Sequence, residues 1–366
     1  MANKHGLRTT WLAIHKWLGI TLALLIVPLS ISGSALVWPD WLDDATNPQR
    51  RIAGSGEAVL LPSAYIRAAR SKLDASSAIS SLRFRDGRAA KAASGSNSDS
   101  LRTIVWIDPA NGEVLDAAAE DTGLHRLLHD FHVSMFIPRV GHFVVGGLGV
   151  AMLISSLTGL WLWWPTAGSV LRALRWRRAK DSFTNLHHQA GFWICLPLGM
   201  LSFTGVWMIF SPFFSALSGD AQRDGAKDVA RWLAKPLAAT SISVDAAAAA
   251  ALASKPGKLV SIVWPTDFEA NWRVRVEQSG KVTEMIVVDA SGEPKRVEDL
   301  YQERGGINRI MERMHAGSGM GLPWQIAIFI GGIMPLVLGA TGLVMWWRSR
   351  GWRADIERRM NDRKRD

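Results

Sequence analysis

The chain has 366 residues, of which 48% are hydrophobic and only 20% charged, with 18 Trp, a single Cys and a net charge of +10. That composition argues against a purely soluble protein, and the lone thiol of Cys195 excludes internal disulfides, multi-cysteine zinc sites and covalent C-x-x-C-H haem attachment. The basic excess does not point to nucleic acid: it falls in a loop (Arg172, Arg175, Arg177, Arg178, Lys180) and a tail (Arg348, Arg350, Arg353, Arg358, Arg359, Arg363, Lys364, Arg365), with no recognisable reading module.

Residues 1–38 hold the N-terminus and a first uncharged stretch, Trp17 to Trp38. It is long enough to cross a bilayer, which takes about 20 apolar residues. A cleaved signal peptide starting at Lys4 and Arg8 is the competing reading, but the apolar run is too long and lacks an A-x-A site. Residues 39–124 have soluble character, with a helix expected over Pro62–Leu73 and strands over Ile79–Arg85 and Leu101–Ile107. Residues 125–165 give an interfacial helix and a second span, Phe143–Pro165, followed by the basic loop 166–186. The third span lies in 187–214, uncharged from Ala190 to about Phe214. Residues 215–306 repeat the soluble pattern: an alanine-rich helix, Val244–Ala253, then strands Leu259–Trp264, Trp272–Glu277 and Lys281–Asp289. Residues 307–347 give a second interfacial helix and the fourth span, Trp324–Trp347, before the basic tail 348–366. Trp38, Trp163, Trp164, Trp346 and Trp347 fall at span ends, where an aromatic belt is expected. The positive-inside rule puts both termini and the basic loop in the cytoplasm and the two soluble segments outside.

The soluble segments end alike, in "IDPANGEV" (107–114) and "VDASGEP" (288–294), with Asn-Gly and Ser-Gly as turn signals. The spans match too. An offset of 172 lays His15 on His187, Gly19 on Gly191 and Ser32-Gly33 on Thr204-Gly205. An offset of 183 lays Thr158-Gly159-Leu160 on Thr341-Gly342-Leu343, Trp163-Trp164 on Trp346-Trp347, and His132 on His315. The expected architecture is therefore four transmembrane helices in two parallel helix–domain–helix repeats, with two α+β domains outside.

Of nine His, only His15 with His187 and His132 with His315 match under these offsets. The first pair begins spans at the inner end; the second precedes spans at the outer end. Facing imidazoles on neighbouring helices make a bis-histidine axial site for haem iron. The bland alternative is a polar interfacial anchor, which is what a lone His in such a place usually is. His129 competes with His132, since His125, His129 and His132 share one helix face, and His188 competes with His187. Gly33 and Gly205 lie 18 residues beyond His15 and His187, roughly 27 Å along a helix and so beside the other pair. Gly159 and Gly342 lie at the inner end. Such small residues let a macrocycle approach the backbone, although Thr-Gly pairs alone usually mark helix packing. The neighbouring Ser32, Thr204, Thr158 and Thr341 can bond within their helices or to a propionate.

The segments "HKWLGITLALLIVPLSISG", "FHVSMFIPRVGHFVVGGLGVAMLISSLTGLWLWWP", "LHHQAGFW", "LSFTG", "MHAGSGMG" and "GATGLVMWW" together resemble the PepSY-associated transmembrane family of iron-regulated membrane proteins, over nearly the whole chain. The outer segments resemble PepSY domains. Members of that family include di-haem ferric-siderophore reductases, among them a ferrioxamine reductase. The resemblance implies two haem b groups, a bacterial inner-membrane location and reductive release of iron from a ferric siderophore. "GGLG" (146–149) lies inside a span and is no Rossmann fingerprint, so electrons are expected from a quinol or a partner reductase. The rival functions are a haem-free sensory or binding protein and a permease for an iron complex. The spans carry no buried Asp, Glu, Lys or Arg of the kind a coupled transporter uses.

Overall fold

The structure, a computed structural model, describes residues 3–52, 54, 56–74, 77–95, 102–164, 181–218, 233–296 and 306–362. The basic loop residues Arg172 to Lys180 lie outside these, and of the tail beyond 350 only the backbone to Asp362 is described. The chain forms two compact units, one of Met1–Pro39, Leu127–Asp220 and Gly306–Asp366, the other of Asp40–Arg126 and Ala221–Gly305.

The first unit is a helical bundle. Its long helices are α1 (Asn3–Ala35), α5 (Gly141–Trp163), α6 (Ser182–Ile209) and α10 (Leu322–Asp362). Each contains a stretch long and apolar enough to cross a membrane: Gly6–Ala35, Gly141–Trp163, Ser182–Ile209 and Leu322–Arg350. Leu24 and Leu196 on these helices are 79% and 80% exposed, a placement that water penalises and lipid does not. Helices α1 and α6 each pack against both α5 and α10, so α1 and α6 stand diagonally across the bundle. The closest approach is at Gly332 of α10, where a Cβ would meet Ser34 Oγ of α1 at 2.1 Å.

Two short helices, α4 (Leu124–Ser134) and α9 (Ile307–Ala316), precede α5 and α10. The third span ends at Ile209, short of the expected Phe214, and a separate α7 (Ser211–Ser218) follows. Pro212 explains the break: it has no N–H to donate to Met208 O, and its ring crowds that carbonyl, so the helix cannot run on unbroken. Trp163 departs from the expected belt: it is buried and stacked on Phe192, with centroids 4.0 Å apart, whereas Trp164 and Trp347 are exposed.

The second unit is one antiparallel sheet of eight strands in the order β4-β3-β2-β1-β5-β6-β7-β8. Strands β1 (Ile79–Arg83), β2 (Ala90–Ser94), β3 (Thr103–Ile107) and β4 (Val114–Ala119) come from the first soluble segment. The second segment supplies β5 (Lys258–Val263), β6 (Asn271–Gln278), β7 (Lys281–Val288) and β8 (Pro294–Arg296). The sequence suggested two separate domains. Instead β1 pairs with β5, Leu82 opposite Ile262, and the two meanders share one sheet. Ladder hydrogen bonds along β1 and β5 thereby remove two open edges. Helices α3 (Pro62–Arg70) and α8 (Val244–Ser254) each cover one half of a single face. Tyr65 and Ala69 of α3 pack on Leu82, Ala92 and Val105, and Ala247, Ala248 and Ala251 of α8 pack on Ile262, Trp272 and Val274. The remaining helix, α2 (Pro39–Thr46), leads into this unit. Both glycine turns form: Gly112 and Gly292 have φ of 78° and 71°, and their N–H groups donate to Asp108 O and Val288 O.

Candidate functional site

Four histidines from four helices meet in two pairs. The rings of His15 (α1) and His187 (α6) have centroids 6.4 Å apart, and those of His132 (α4) and His315 (α9) 6.2 Å apart. The pairs are the ones the sequence offsets matched. His132 touches α1 near Leu29, so the pairs stand at opposite ends of the bundle, about 21 Å apart by helix rise from His15.

All four rings are held alike. Nδ1 of His132 lies 2.9 Å from Leu29 O, and Nδ1 of His315 lies 3.1 Å from Leu201 O. His15 and His187 also have a backbone hydrogen-bond partner, at Ser155 and Leu338. A carbonyl only accepts, so Nδ1 carries the proton and Nε2 keeps its lone pair. A hydroxyl stands three residues beyond each of these carbonyls: Thr158 Oγ1 is 3.1 Å from His15 Nδ1, and Thr341 Oγ1 is 2.9 Å from His187 Nδ1. Ser32 Oγ is 3.3 Å from His132 Nδ1, and Thr204 Oγ1 is 3.0 Å from His315 Nδ1. Each hydroxyl donates its own proton back into its helix. This arrangement of outer contacts fixes tautomer and ring plane, as metal-binding histidines require.

The glycine after each hydroxyl makes room for the ring. A Cβ on Gly33 would meet His132 Cε1 at 2.5 Å; on Gly205, His315 at 3.0 Å; on Gly159, His15 at 3.1 Å; on Gly342, His187 at 3.5 Å. These glycines sit at the ends expected from the sequence. Their contact is with the imidazole edge, a role that sequence reasoning missed. The Ser-Gly and Thr-Gly repeats were its only signal.

Of the competing histidines, His188 is half-buried like its neighbour His187, and His129 is the more open. His129 is 49% exposed in its side chain, with Nδ1 3.6 Å from Asp130. His142 is exposed. At the α4–α9 end, burial and then the neighbouring His132 push His315 down to about 4, and burial lowers His132 as well. Both rings are therefore neutral near pH 7, the form that binds a metal.

The spacing tests the fit of a metal. Centroids 6.4 and 6.2 Å apart leave room for one metal ion between the two rings of each pair. Among the described residues, no group of three or more His, Cys, Asp or Glu could hold a bare ion. Two imidazoles per site would suit a metal that comes already bound in a cofactor, as in haem.

The family model described as "PepSY-associated TM region" matches residues 12–349. No curated protein matches the chain.

Proposed function

The chain belongs to the family of the PepSY-associated transmembrane region, and from that premise we propose that it is a di-haem b electron-transfer protein of the bacterial inner membrane. It reduces a periplasmic ferric siderophore and so releases ferrous iron. The observation that carries this reading is the meeting of four imidazoles in two pairs with centroids 6.4 and 6.2 Å apart, every Nδ1 beside a Ser or Thr hydroxyl of a neighbouring helix. His15 and His187 would hold one haem, His132 and His315 the other. Bound there, haem b supplies reversible one-electron transfer.

The protein's own groups do the rest. The carbonyls and hydroxyls keep Nε2 of each ring unprotonated and aligned. Gly33, Gly205, Gly159 and Gly342 let each ring lie against a helix backbone. The apolar bundle keeps water from both sites. We read the two halves as parallel helix–PepSY–helix repeats with both termini in the cytoplasm. Arg8, Lys16, Arg348 and Arg350 at the His15–His187 end support that orientation. A siderophore is too polar to enter lipid, so its iron takes its electron at the His132–His315 end. Ferrous iron is softer than ferric iron and is held less tightly by hard oxygen ligands. The electron donor is a quinol or a partner reductase.

Two measurements test this. A pyridine haemochrome assay of the purified protein should give two haem b per chain; one or none sinks the di-haem reading. Stopped-flow mixing of dithionite-reduced protein with ferrioxamine should bleach the reduced α-band. A rate no faster than buffer alone would remove the reductase assignment.

A further inference from the structure

Strand alternation divides the eight-stranded sheet into a face under α3 and α8 and a face turned away from them. Leu82, Ala92, Ile262 and Val274 belong to the first. Their neighbours belong to the second and line up across the seam between the halves. Lys91 lies opposite Arg83, Arg83 opposite Ser261, and Ser261 opposite Arg275. Arg102, just before β3, reaches over to donate to Ser81 Oγ at 3.2 Å. The centre of this face is thus three guanidiniums and an ammonium over a floor of buried Ser81, Ala93 and Ser261.

Acids border this patch, and each is shared with a neighbouring cation: Asp43 and Asp116 pair with Arg50, which stacks over Trp106, while Glu120 and Glu284 face Arg102 and Arg275. Arg275 pairs with Glu284 at 2.7 Å, and Arg102 reaches Glu120 at 3.3 Å. Arg102 Nε is nevertheless buried without a partner, as is Nε1 of Trp106, which lies opposite Lys91 on the same face. The Arg83 side chain makes no hydrogen bond or ion pair among the described residues. Lys91 comes no closer than 3.9 Å to an acid, Asp43. Burial, then the charges of Arg102 and Arg275, hold Arg83 below the ordinary arginine value, with Glu120 opposing. Like charges on adjacent strands cost stability. A merely solvated basic face explains the exposed cations but not the buried unpaired N–H groups, which are rare and costly without an acceptor.

We propose that this face binds a small ligand bearing two or more carboxylates, and that, on the reductase reading above, the ligand is a carboxylate-rich ferric chelate. A guanidinium grips a carboxylate through two parallel N–H bonds. Neighbouring strands stand about 4.8 Å apart, so the cations from Lys91 to Arg275 span roughly 14 Å. One small anion cannot touch them all, whereas a chelate with several carboxylates can.

Gallium(III) citrate is the probe, because it resembles ferric citrate in charge and shape and is not reduced. The full chain in nanodiscs of zwitterionic lipid is titrated calorimetrically. Wild type should bind the probe, Arg83→Gln and Arg102→Gln should each weaken binding about tenfold, and Arg83→Lys, which keeps the charge but not the two-pronged grip, should restore only part of it. Circular dichroism checks that each variant is folded. The cationic gallium complex of ferrioxamine B should be indifferent to these substitutions at this face. Equal binding by wild type and Arg83→Gln overturns the proposal, as does inorganic phosphate or an anionic-lipid nanodisc competing as well as citrate. Loss of siderophore turnover with gallium citrate binding intact removes the reductase reading alone. Absence of gallium citrate binding with turnover intact removes this proposal alone.

Discussion

At the scale of residues, the glycines beside the histidines make a graded test. A methyl at Gly33 would overlap His132 deeply, those at Gly205 and Gly159 would press their rings, and that at Gly342 would make ordinary contact. On the di-haem proposal, haem content of the alanine variants should therefore fall most for Gly33→Ala, less for Gly205→Ala and Gly159→Ala, and least for Gly342→Ala. A reversed order would mean the rings do not sit as described. Replacing His132 or His315 by Ala should halve the haem per chain and leave the His15–His187 spectrum; His129→Ala should leave both. The pH dependence has a definite sign. A proton competes with iron for Nε2 only as pH falls through the folded value, about 4 for His315. Haemin affinity of apo-protein at this pair should then fall less from pH 7 to 5 than the roughly 25-fold that a histidine of ordinary pKa 6.5 would lose. Soret titrations at the two pH values decide it. The same depression makes the unfolded chain bind the proton first, so this group's contribution to folding stability declines as pH falls from about 6.5 toward 4.

At the scale of elements, the turn between α4 and α5 decides where His132 points. Met135, Phe136 and Arg139 all have positive φ, of 51°, 59° and 64°, which costs non-glycine residues of order 1 kcal/mol each. The corresponding link after α9 uses Gly317, Gly319 and Gly321 and avoids that cost. The strain is offset by packing: Phe131 and Met135 join Leu22, Ile26 and Leu29 of α1 against Leu148 of α5. Gly141 completes the turn, since a Cβ there would lie 1.9 Å from Ser134 O, a backbone atom that cannot step aside. Gly141→Ala should displace α4 and lose the haem of His132 and His315 while the other haem remains. Difference spectra showing both haems retained would contradict this account of the turn.

At the scale of the whole molecule, the shared sheet makes the two soluble segments interdependent. Leu259 and Trp264 of the second segment pack against the core formed by Tyr65, Leu82 and Val105 of the first. A fragment of residues 40–126 alone would expose that side of its core and the edge of β1. It should show no cooperative thermal transition by circular dichroism, and adding a fragment of residues 221–305 should restore one. Independent folding of the first fragment would make the β1–β5 seam incidental.

The sequence by itself determined the four spans, because about 20 uncharged residues have one good solution in lipid. It also determined the histidine pairs, since His15 with His187 and His132 with His315 follow from offsets set by other motifs. Local turn chemistry at Gly112 and Gly292 was equally legible. Strands β2 and β4 were not: "AKAAS" and "VLDAAA" are alanine-rich and carry little strand propensity, and only pairing with β1 and β3 makes them strands. Tertiary structure alone decided that the two meanders form one sheet, that Trp163 turns inward, and that each glycine seats an imidazole. It also gathered Arg83, Arg102 and Arg275 on one face. The physical reason is common to all of these: each depends on a contact between residues far apart in the chain, and neither periodicity nor composition records which distant partner a side chain meets.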